Sequence, residues 1–107
     1  MKKRIYLLST LLPVLGFLFA APAFSAEADL VKAEKVYKRS CATCHGKQGE
    51  KPAMGESKII NQLKPEEIST ALSERKAGNI TGAGSPAKQR LSEQDIHNLS
   101  EYIQTLK

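Results

Sequence analysis

A five-residue run, Cys41-Ala42-Thr43-Cys44-His45, constrains this 107-residue chain more than any other feature. It holds both cysteines of the sequence and one of its two histidines. Two thiols three positions apart, with an imidazole directly after them, admit few chemistries. A disulfide would close a very small ring and leave His45 without a part. A thioredoxin-like redox pair belongs on a βαβ pattern, and no strand-length alternation occurs here. A zinc site needs further ligands. His97 is the only other histidine, so zinc would have to recruit carboxylates. Covalent haem attachment uses every member of the run. The thiols add to the two haem vinyl groups, and the imidazole is placed to ligate the iron.

The flanking sequence agrees. Met1–Arg4 is charged, Ile5–Ala21 is almost wholly apolar, and small residues follow, the pattern of a secretory leader. Ala21 and Ala23 fit cleavage after Ala23; Ala26 and Ala28 fit cleavage after Ala28. The expected division is a signal peptide over residues 1–26, cut between 23 and 28, and one domain over residues 27–107. An uncleaved anchor is the alternative. Ser9, Thr10, Pro13 and Gly16 interrupt the run, which barely reaches the ~20 residues a span needs. A periplasmic protein without stable membrane association follows if the leader is removed, and haem of this kind is attached outside the cytoplasm in bacteria. Without Lys2, Lys3 and Arg4 the basic count drops from 16 to 13 against 11 acids, so the formal charge falls from +5 to +2. No basic stripe interleaved with aromatics remains, which gives nucleic-acid binding no support.

The domain reads as all-α. Leu30, Ala33, Val36 and Tyr37 share one face of a helix over Asp29–Arg39. Gly46–Leu63 carries Gly46, Gly49, Pro52 and Gly55 and reads as loop. Pro65 opens a second helix with Ile68, Ala71 and Leu72 on its apolar side, stopped by Gly78. Asn79–Arg90 reads as a second loop. Ser92 and Asp95 resemble a capping box that starts a last helix, Glu93–Leu106, with Ile96, Leu99, Ile103 and Leu106 on one face. Loops this long in so small a domain need something to wrap around.

On these residues the chain resembles the small bacterial class I cytochromes c, across nearly the whole segment after the leader. Ala33 and Tyr37 stand eight and four residues before Cys41, and Leu99-x-x-Tyr102-Ile103 is similar to the family's C-terminal helix. The resemblance implies N- and C-terminal helices that cross closely, with long loops wrapped around one covalent haem c. It implies Cys41 and Cys44 as thioether links and His45 as an axial iron ligand. It also implies a backbone carbonyl within Gly46–Leu63 that accepts the His45 N–H, and an apolar residue packed on that side of the ring. Pro52 and Met54 suit those parts.

The resemblance breaks at the second axial ligand. The family carries a methionine in the loop before the last helix, commonly just before a Ser-Pro pair. Here Gly84 precedes Ser85-Pro86, and Asn79–Arg90 holds no methionine. Met54 has the right chemistry, nine residues after His45, and is a candidate second ligand. His97 is turned about 100° from Ile96 on the last helix and so towards solvent. Asn79, Ser85 and Lys88 are weaker candidates; Lys88 would first have to lose its proton. Two readings of function result. One is a single-haem, periplasmic one-electron carrier serving redox partner proteins of a respiratory chain. The other is a gas-binding or gas-sensing haem protein with an open or weakly held sixth position. Enzyme activity is not expected, since Asn79–Arg90 has no His, Asp or Glu to help cleave peroxide.

Overall fold

The computed structural model describes residues 27–107 and the isolated positions Pro13 and Gly16. The expected signal peptide and its cleavage site otherwise lie outside the described residues. Among the described residues every regular element is helical, and no helix is long and apolar enough to cross a membrane.

The first helix, α1 (Leu30–Ser40), starts one residue later than the periodicity predicts, because Asp29 caps it from outside. The Asp29 carboxylate accepts the Lys32 N–H at 2.9 Å, satisfying one of the free donors of the first turn. Lys38 and Arg39 complete the last turn, where positive charge suits the helix dipole. Ala33, Val36 and Tyr37 are buried as expected, but Leu30 is 42% exposed. It is the first residue of the helix.

After α1 come a one-turn helix, α2 (Ala42–His45), and two short 3-10 turns, Ala53–Gly55 and Ile60–Gln62. Helix α3 (Pro65–Lys76) has Pro65 in its first turn, where the missing N–H costs nothing. The Glu67 carboxylate accepts the Lys64 N–H at 3.1 Å. The segment expected as one loop, 79–90, contains a further helix, α4 (Ser85–Gln89). Its glycines and proline signal loop, yet Pro86 falls in a first turn, which tolerates it. The Ser85 hydroxyl accepts the Gly82 N–H at 2.7 Å and closes the turn before it.

Helix α5 (Glu93–Gln104) begins with the expected box. The Asp95 carboxylate accepts the Ser92 N–H and the Ser92 hydroxyl accepts the Asp95 N–H, each at 3.0 Å. The helix packs against α1 and α3. Ala33, 1% exposed, sits in the α1–α5 crossing. The Tyr37 and Tyr102 rings meet tilted, with centroids 5.6 Å apart. Ile68, Leu91, Ile96, Leu99 and Ile103 complete the buried core, each buried aliphatic contributing about 1.5–3 kcal/mol. Asn98 is buried among them. Its side-chain oxygen accepts the Asp29 N–H at 3.0 Å and an amide proton of Gln94 at 2.9 Å, joining the start of α1 to α5. The observed class is the all-α architecture expected, with terminal helices crossing.

Candidate functional site

The site begins where α1 runs out. The Cys41 N–H bonds the Tyr37 carbonyl at 2.8 Å, and the Cys41 carbonyl then accepts from Cys44 N–H (3.2 Å) and His45 N–H (3.0 Å). Residues three and four apart on a helical turn share a face. Cys41, Cys44 and His45 are therefore presented together. Gly46 ends the turn at φ 84°, a left-handed conformation that glycine takes without strain. A β-carbon there would also collide with the Glu50 carboxylate. The Tyr37 hydroxyl donates to the Gly46 carbonyl at 2.5 Å, fastening the end of the turn to the core.

All three side chains face a cavity of about 680 Å³, within the size range of cofactor sites. One part of its wall is α2 and the Ala53–Gly55 turn. Ile68, Leu72, Leu99 and Ile103 line it from α3 and α5, and residues 80–88 form the rest. The half-buried apolar residues of α3, which leave the helix face unpacked, are thereby accounted for. The two cysteines are free thiols, so the disulfide reading is not realised. Among the described residues no group of three or more His, Cys, Asp and Glu side chains could hold a metal ion, so zinc has no further ligands.

The electrostatics suit a ligand histidine. Burial lowers the His45 pKa, and Lys88 and Arg75 lower it further. The imidazole is then neutral around pH 7, the form that binds a metal. Burial pushes the Cys41 thiol up to about 11, partly offset by Lys88. The Nδ1 atom of His45 is buried with no hydrogen-bond partner. Such an orphaned polar atom calls for a partner that the protein's own groups do not supply. An apolar cavity, two free thiols and a neutral imidazole on one face fit a haem.

Other expectations are corrected. The Pro52 carbonyl accepts the Gly55 N–H at 2.9 Å and takes no proton from His45. Met54 lines the cavity wall, but it is 77% exposed and not packed as filler. It sits at φ 58°, the one non-glycine residue with positive φ among the described residues. The reason is local: the chain turns back so that the Lys51 N–H bonds the His45 carbonyl at 2.9 Å, and the tight turn that follows throws Met54 outward. His97 is exposed on α5 and off the cavity wall, as its position on the helix predicts. Gly84, Ser85 and Lys88 all line the cavity.

Fold and site together fit a helical haem protein, with the turn 41–45 as the candidate attachment point. Residues 30–107 match the Cytochrome c family, and the chain belongs to that family. It is 43% identical to cytochrome c-553 of Helicobacter pylori strain 26695 over 74 residues, 68% of this chain and 77% of that one. The strain J99 cytochrome c-553 is 40% identical over the same length. Cytochrome c-554(547) of Halothiobacillus neapolitanus is 36% identical over 91 residues, 74% of this chain and 98% of that one. The protein is thus a single-haem c-type cytochrome that carries haem c covalently and transfers electrons between redox partners. Nothing in these likenesses favours the gas-binding alternative.

Proposed function

We propose that Cys41 and Cys44 hold the haem and that His45 is its first axial ligand. Each thiol would add across one vinyl group, with sulfur bonding one carbon and the proton going to the other. The observation that carries this reading is the turn 41–45, which presents two free thiols and a half-buried imidazole to one apolar cavity. When bound, the haem supplies a one-electron Fe(III)/Fe(II) couple. The chain's part is to bury the ring against Leu72, Leu99 and Ile103, keep water from its apolar faces and keep His45 neutral. The protein is a carrier and not an enzyme, because segment 79–90 has no His, Asp or Glu to help cleave peroxide.

The carrier works in the periplasm, exported by residues 1–26, and serves the redox proteins of a respiratory chain. The leader pattern and the site of haem attachment support that placement. Lys47 and Lys51, exposed beside the attachment turn, suit an acidic partner face.

The test is a haem stain on a denaturing gel, with the intact mass of the exported protein. A covalent adduct one haem heavier than the chain cut between residues 23 and 28 is expected. Cys41→Ala/Cys44→Ala must lose the stain. Retained covalent haem in that variant overturns the assignment.

A further inference from the structure

Gly84 holds no backbone conformation that needs glycine. Its φ is −87° and its ψ 2°, open to any residue. What occupies the space beside it is the end of one side chain. A β-carbon built there would stand 2.6 Å from Nζ of Lys88. Lys88 lies four residues on, and helical side chains lean towards the N-terminus. Its stem therefore runs back along α4, and its amine ends against the bare backbone of Gly84. Both residues line the cavity that Cys41, Cys44 and His45 face. Where the resemblance places a methionine side chain, this chain delivers an amine from the next turn.

The amine is short of partners. Lys88 is half-buried, and among the described residues its side-chain amine makes no hydrogen bond or ion pair. The charged side chain that acts on it most, Arg75, has the same sign. A partly desolvated ammonium with no counter-charge is costly. A neutral amine with a lone pair to give is not.

We propose that Nζ of Lys88 is the second axial ligand of the haem iron, making the site a His45/Lys88 pair. This rests on the haem placement proposed above. The ammonium releases its proton to solvent, and the nitrogen lone pair forms the bond to iron. No electron moves in that step. Met54 does not compete. The Lys51 N–H bond to the His45 carbonyl brings the chain back to α2 three residues before Met54. Met54 is therefore held on the His45 side, whereas two axial ligands must approach from opposite faces. Lys88 comes from α4, which packs on α3.

The experiment is visible and electron paramagnetic resonance spectroscopy of the ferric protein carrying covalent haem. The wild type is expected to be low-spin without the weak red-end band of a methionine sulfur. Lys88→Arg keeps the positive charge but has no lone pair to give. It is expected to turn high-spin and, when reduced, to bind CO at once. Met54→Ala is expected to match the wild type. A high-spin wild type, a Lys88→Arg variant that stays low-spin, or a sulfur band lost in Met54→Ala each overturns the assignment. A lysine that only pairs with a haem carboxylate gives a spectrum that Lys88→Arg leaves unchanged, and so overturns it too. Haem attachment is read separately on the gel, so these failures count against Lys88 alone.

Discussion

Tyr37 and Gly46 are joined by a 2.5 Å hydrogen bond that ties the buried centre of α1 to the residue after His45. The bond spans nine residues and encloses the whole attachment turn. Burial pushes the Tyr37 hydroxyl up to about 12, so it remains a donor across the physiological range. One side chain thus serves two ends. Its ring packs on Tyr102, and its hydroxyl fastens the end of α2 to the core.

Tyr37→Phe keeps the ring and removes the donor. The Gly46 carbonyl still accepts the Gly49 N–H at 3.2 Å, so it is not left wholly bare. The expected loss is about 1 kcal/mol, read as a lower denaturant midpoint with unchanged slope. An unchanged midpoint would show that water replaces the hydroxyl.

Gly46→Ala is expected to do more harm than its size suggests. The residue sits at φ 84° and its β-carbon meets the Glu50 carboxylate. Its ψ of 162° puts it in a region that is essentially glycine's alone, which costs another residue about 1–3 kcal/mol. Thermal unfolding should shift downward, and the yield of covalent haem should fall because Cys44 and His45 share the distorted turn. Gly82→Ala, where a β-carbon meets nothing within 4 Å, is the control.

The box at the start of α5 makes stability pH-dependent in a definite direction. The Ser92 backbone N–H, then its hydroxyl and Lys32, hold the Asp95 pKa below the usual carboxylate value. A lowered folded pKa means the contribution is present above the unfolded value, about 3.9. It is lost as pH falls through the folded value. Asp95→Asn should therefore be less stable than wild type at pH 7, and the difference should shrink below about pH 4. Ser92→Ala should cost about 1 kcal/mol at pH 7. Equal pH profiles for wild type and Asp95→Asn would refute the coupling.

Gly84→Met returns a sulfur to the loop. The backbone accepts it, and the atom in its way is the end of a flexible lysine. The expected result is a red-end sulfur band and a higher reduction potential, since methionine favours Fe(II). A spectrum like wild type would show that the loop does not reach the iron from that position.

Much of the scaffold was legible because it is local. Ala33, Val36 and Tyr37 on α1 and Ile96, Leu99 and Ile103 on α5 follow from helical spacing and are buried. The Ser92–Asp95 box lies within one turn. Helix α4 was not legible: five residues with a proline and flanking glycines read as loop until α3 gives them a surface. The buried Asn98 was equally hidden, because its partner Asp29 is 69 residues away. Met54 read as a ligand or as filler, and the backbone turn that exposes it left no mark in composition.

The sequence by itself determined the candidate attachment turn. Cys41, Cys44 and His45 are bound by spacing within one helical turn, and no distant contact is needed to bring them together. Only the tertiary structure decided what stands across the cavity from them. That side is built from a loop and a short helix whose path depends on packing against α3. The position of the Lys88 amine beside Gly84 is the product of that path.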